Sequence, residues 1–149
     1  MSSKPETRYI KGIHELLPNT HCEKMSNSWR SGTADVWYSG NRGDLWVEYK
    51  YIENLPRSQE IVPGCTRRQL RWLDSRFDEG RNIAVILGTS AGGIIYRNKT
   101  WSQREPQAEL LLRLTPKADI ARWIFTQVGE VHDSSKRSHR SVKSRSSRV

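Results

Sequence analysis

Long apolar stretches are what this chain most plainly lacks. No run approaches the ~18 residues that a membrane-spanning helix needs. The opening Met1-Ser2-Ser3-Lys4-Pro5-Glu6 holds no apolar segment of the kind a secretory signal requires. Only two residues are cysteine, Cys22 and Cys65, and they lie far apart. They frame no disulfide network and no C-x-x-C pair, and they point to reduced thiols in a cytoplasmic setting. His14 and His21 add no H-x-x-x-H spacing, so a zinc site has no pattern behind it. There is no nucleophile elbow and no phosphate-cradling P-loop, because Gly92-Gly93 falls between strand-like runs and not before a helix. Acidic residues are scarce too. Sixteen Asp and Glu face 25 Lys and Arg, a formal net charge of +9 that favours a polyanionic partner, most simply nucleic acid. No long basic amphipathic helix speaks for a membrane surface.

The apolar residues that are present are spaced, not massed. Tyr9, Ile13, Leu16 and Leu17 predict a helix over 8–17, ended by Pro18-Asn19. Residues 18–32 are polar and read as irregular, with a short strand expected near Trp29. Two strands are expected near 34–38 and 45–52, joined by a turn through Gly40-Asn41 and Gly43. Residues 54–65 read as a loop. Residues 66–79 make the best-signalled helix, with Thr66 as N-cap, Leu70, Leu73 and Phe77 as its stripe and Gly80 as its stop. Residues 83–87 are continuously apolar, as a buried central strand would be. A turn over 88–93 leads to a strand at 94–96. After a break at Pro106 comes an apolar stretch at 110–114, then a second helix with Thr115 as cap and Pro116 in its first position.

This alternation predicts one small α/β domain over 1–131, a mixed central sheet flanked by helices. From His132 onward the chain is Ser and Arg/Lys with almost nothing apolar, so 132–149 is expected to be a disordered basic tail. Its Lys136, Arg137 and Arg140 read either as a counterion-releasing arm on nucleic acid or as a solubilising tail.

The chemistry concentrates in Asp35 and in Glu48-Tyr49-Lys50. Residues two apart on a strand share a face, so Glu48 and Lys50 project together while Val47 and Tyr49 face away. The hairpin folds Asp35 back beside them. Two carboxylates and one ammonium then share a patch able to hold a hard divalent cation and to stabilise a nucleophile or developing phosphate charge. An exposed strand face would alternate in the same way. Yet Leu45, Trp46 and Val47 before the pair and Tyr51-Ile52 after it mark a mostly buried strand, where charges need a reason.

The arrangement resembles the PD-(D/E)xK nuclease superfamily, whose signature is an Asp and, further on, Glu-x-Lys. Downstream of that signature, Gln69-Leu70-Arg71-Trp72-Leu73, Gly80 and the apolar 83–87 are similar to the VRR-NUC-type and Holliday junction resolvase-like branch, found in phage and repair endonucleases. The family's usual Pro-Asp is Ala34-Asp35 in this chain. The resemblance implies a restriction-endonuclease-like fold and a Mg2+- or Mn2+-dependent endonuclease acting on DNA, in the host cytoplasm for a phage protein. It implies Asp35, Glu48 and the Tyr49 backbone carbonyl as metal ligands, with Glu15 as a candidate helix-borne acid. Lys50 would serve the attacking water or the oxyanion. Branched-DNA specificity would imply a homodimer.

Gln69 carries two readings. The resemblance makes it an active-site side chain, whereas Thr66-x-x-Gln69 is also a capping box. Arg67, Arg68 and Arg71 read as phosphate contacts or as a solvated helix face. Trp37 or Trp101 could stack on a base, and nothing in the sequence selects between them. The alternative function is a non-catalytic nucleic-acid-binding or inhibitory protein of the same fold. An RNA nuclease is a third.

Overall fold

A computed structural model describes residues 4–25 and 32–132. The strand expected near Trp29 and the tail residues Lys136, Arg137 and Arg140 lie outside those. The element order is α1 (Pro5–Leu16), β1 (His21–Lys24), β2 (Val36–Gly40), β3 (Gly43–Tyr51), α2 (Arg67–Asp78), β4 (Ile83–Thr89), β5 (Gly92–Tyr96), α3 (Gln107–Leu112) and α4 (Lys117–Val128), with a short 3-10 turn at Thr100–Ser102 before α3.

The five strands form one sheet in sequence order. All neighbours are antiparallel except β3 and β4, which run parallel and are joined through α2. That crossover sorts the side chains. Leu45, Val47 and Tyr49 of β3 pack with Ala84 and Ile86 of β4 beneath α1 and α4. Ile83, Val85 and Leu87 point the other way, toward Leu73 of α2, Trp101 and Leu110. Every residue of β4 is buried, as a strand covered on both faces must be.

Several boundaries differ from the sequence expectation. Helix α1 starts at Pro5, a turn before its apolar stripe, because proline suits the first helical position and needs no hydrogen bond there. Strand β1 lies in a stretch read as irregular. Its polar sequence shows no alternation, and only its pairing with β2 makes it a strand. The turn expected over 88–93 shrinks to Ser90-Ala91, with Gly88 inside β4 and Gly92-Gly93 inside β5. Gly88 is there because Tyr9 crosses the sheet at that point: a Cβ would stand 2.6 Å from the tyrosine ring. At α4 the cap is Pro116 with Lys117 first in the helix. Thr115 is instead used in tertiary structure, bridging to Gly93 through its backbone and donating its hydroxyl to the Arg113 carbonyl.

Candidate active site

Helix α2 forms as its sequence directs. The Thr66 hydroxyl accepts from the Gln69 N–H at 3.2 Å, and the Gln69 side-chain oxygen accepts from the Thr66 N–H at 2.8 Å. This capping box uses only one end of the amide. The other end, Nε2, donates to Glu48 Oε1 at 2.8 Å. The Gln69 side chain therefore starts the helix and also grips the strand carboxylate.

Glu48 is 1% exposed. Its Oε1 also faces Lys50 Nζ at 3.6 Å, while Oε2 is buried with no hydrogen-bond partner. Burial pushes the Glu48 carboxyl up to about 8, and the neighbouring Asp35 adds to the rise against the opposing Lys50 charge. With both carboxylates ionised, Oε2 has no donor to meet.

Asp35 sits just before β2, half-buried, and its Oδ2 accepts from the Tyr49 backbone N–H at 2.8 Å. That bond draws the incoming chain against the middle of β3. Gly32 permits the approach. It holds φ at +98°, and a Cβ would come within 2.6 Å of the Arg68 carbonyl oxygen. Asp35, Glu48, Lys50 and Gln69 are thus brought together, on the sheet face opposite the Tyr49 ring, which hydrogen-bonds Tyr38 at 2.5 Å inside the core.

Glu15, the candidate helix-borne acid, stands apart from these groups. Glu15 is exposed near the far end of α1. Glu6, in the first turn, is the acid that senses the site: it is half-buried, and its carboxyl is raised by burial and then by Asp35, against opposing lysines that include Lys50. Nine residues separate the two. That turns a helix by about 180° and advances it by about 13.5 Å, so both cannot serve one site. The only signal for Glu6 was its place after Pro5, where acids favour a helix start.

Asp44 and Glu53 stand apart. Asp44 belongs to β3 and accepts from Trp37 Nε1. Glu53 lies beyond β3, exposed, and accepts from the Tyr51 hydroxyl. Cys65, beside the α2 cap, has its thiol raised to about 11 by burial and by Glu48. Arg67, Arg68 and Arg71 are exposed on the first turn and a half of α2.

Two carboxylates and a backbone carbonyl suit a hard divalent cation, and the orphaned Oε2 is the donor such an ion would take. Among the described residues, no three His, Cys, Asp or Glu side chains are grouped as metal ligands. A cavity of ≈ 320 Å³ is lined by Glu53, Arg57, Gln107 and Leu111, away from these carboxylates.

A solved structure with a similar architecture illustrates the likeness. It is Hjc of Archaeoglobus fulgidus, a Holliday junction resolvase from an archaeal hyperthermophile. The likeness has a TM-score of 0.53 and covers 77% of this chain and 98% of that one. The mixed five-stranded sheet with flanking helices is the restriction-endonuclease-like fold of that structure. At 15% sequence identity the likeness is one of fold. No family model and no curated protein matches the chain. No helix among the described residues is long and apolar enough to cross a membrane.

Proposed function

We propose that the protein is a divalent-metal-dependent endonuclease that hydrolyses phosphodiester bonds in DNA. The observation that carries this reading is Glu48: a nearly inaccessible carboxylate with one orphaned oxygen, set against Asp35, Lys50 and Gln69. A structural strand residue would have no reason to be acidic there. Asp35, Glu48 and the Tyr49 carbonyl would hold Mg2+ or Mn2+, with Glu6 at the rim. When bound, such a cation neutralises charge at the scissile phosphate and acidifies water. Gln69 keeps the Glu48 carboxylate in one orientation. Lys50 donates from its ammonium to the attacking water or to a non-bridging phosphate oxygen, where negative charge develops. Arg67, Arg68 and Arg71 hold the backbone, and Lys136, Arg137 and Arg140 add a sequence-independent arm from the segment 132–149. A branched substrate cut on two strands needs two sites, hence a homodimer.

One observation favours a second reading, a non-catalytic binder of the same fold: no third acid joins the two carboxylates in ligand geometry among the described residues. The test is cleavage of labelled duplex, single-stranded and four-way-junction DNA, and of matched RNA, with Mg2+, Mn2+ or EDTA. The comparison is wild type against Lys50→Ala. Metal-dependent cutting of DNA that falls by roughly 100-fold or more in the variant, with DNA binding kept, supports the enzyme. Binding without cutting under either metal supports the binder. Cutting of RNA alone transfers the assignment to RNA.

A further inference from the structure

Beyond the carboxylates, the same sheet face carries a row of rings that runs from the edge of one core, where Trp46 and Trp72 pack, out to Trp37. Side chains alternate along β3, so Trp46 shares a face with Glu48 and Lys50. Trp37 of β2 stands directly opposite Trp46 in the antiparallel register. Their rings stack at 5.9 Å with planes 30° apart. Trp72 of α2 closes one end of the row edge-on at 5.6 Å from Trp46, and His21 of β1 closes the other at 5.6 Å from Trp37.

Trp37 belongs to neither hydrophobic cluster. It is half-buried, and its indole N–H donates to Asp44 Oδ2 at 3.1 Å, which fixes its rotation. A tryptophan oriented by a hydrogen bond outside the core keeps π surface within reach of solvent. Trp101, the other stacking candidate, is removed by the fold: it is fully buried and its N–H is taken by Asp74.

We propose that this row is a base-stacking platform for unpaired nucleotides entering the Asp35–Glu48 site. The proposal rests on the nucleic-acid function proposed for that site and gives it a substrate class: single-stranded or splayed DNA next to the cut. Three observations support a nucleobase as the occupant. Trp46 precedes Glu48 by two strand residues, about 7 Å, or one to two nucleotides of chain. Arg68 lies one helical turn before Trp72 and Arg71 adjoins it, both exposed, so phosphates can follow α2 while bases reach the rings. Glu23 faces Trp37 from β1 and Asp44 holds its N–H from β3, so carboxylates border the Trp37 ring and keep phosphates on the α2 side. His21, half exposed and paired only with the exposed Glu23 carboxylate, covers the outer edge of Trp37 and is the group a base would displace. Bases stacked inside a duplex offer no free face, so the platform discriminates in favour of unpaired strands.

The test uses the full chain in EDTA, so binding is read without cleavage. Fluorescein-labelled oligothymidylate, the same strand with abasic residues, and a duplex are titrated by anisotropy against wild type, Trp37→Ala and Trp37→Phe. Thermal melting of each variant checks the fold, since a cross-strand ring pair also steadies a hairpin. Trp37→Ala is expected to weaken binding of the single strand about tenfold and to change duplex binding by less than about twofold, with Phe restoring most of the loss. Abasic residues should cost wild type the same factor and Trp37→Ala nothing more. Equal affinity of wild type and folded Trp37→Ala for the single strand overturns the platform, as does equal affinity of wild type for the abasic strand. If duplex binding persists in that case, the DNA reading survives. If no nucleic acid binds, both fall. A wild-type dimer that Trp37→Ala dissociates assigns the row to a second copy of the chain and overturns the proposal.

Discussion

Replacing Glu48 by Gln should stabilise the metal-free protein at neutral pH. A carboxyl that ionises near its ordinary 4.5 when unfolded and near about 8 when folded binds more protons in the native state between those values. Stability from this group is therefore complete below pH 4.5 and falls as the pH rises toward 8. At about 1.36 kcal/mol per unit of displacement, the cost reaches roughly 3 kcal/mol at pH 7 and between 4 and 5 kcal/mol above pH 8. Glutamine has the same shape, stays neutral, can still accept from Gln69 and can donate to Asp35. Thermal melting in EDTA from pH 4 to 9 reads the difference. For a chain of this size about 2–4 °C corresponds to 1 kcal/mol, so the variant should melt roughly 6–12 °C above wild type at pH 7, with the gap closing near pH 4. Divalent cations should then raise the wild-type midpoint and leave the variant unmoved, because binding repays only the ionised carboxylate. Melting curves that run parallel at every pH would refute the reasoning, since they would mean that Glu48 titrates alike in the folded and unfolded chain.

The neighbours of Glu48 allow sharper tests. Glu6→Gln should raise the Mg2+ concentration needed for half-maximal thermal stabilisation, by about tenfold at most, while Glu15→Gln leaves it alone. The reverse order would return the helix acid to Glu15. Gln69→Ala removes the grip on Glu48 and half of the capping box together, and should cost about 1–2 kcal/mol in denaturant unfolding. The lost donor also favours the protonated carboxyl, so the acid limb of the cleavage profile should move to higher pH. A profile that keeps its position would confine Gln69 to the helix cap.

What the sequence determined by itself was everything local. A strand's period of two put Glu48 beside Lys50, and the Thr66-x-x-Gln69 spacing wrote the start of α2. The turn between Gly40 and Gly43 returned β3 against β2. The mixed sheet flanked by helices was legible from the alternation of these patterns, and its restriction-endonuclease-like arrangement from the residues set on them. Local windows say nothing about which surfaces meet. The Asp35 bond to the Tyr49 N–H, the second hydrogen bond of Gln69 and the choice of Glu6 over Glu15 depend on how α1 and α2 lie against the sheet. Strand β1 and the true cap of α4 were hidden for the same reason, since pairing with distant strands outweighed their weak local signals. Among the tryptophans, sequence treated Trp37 and Trp101 alike. Tertiary structure alone buried one against Asp74 and left the other standing in a row beside the carboxylates, because burial is a property of the packed layers and not of the residue.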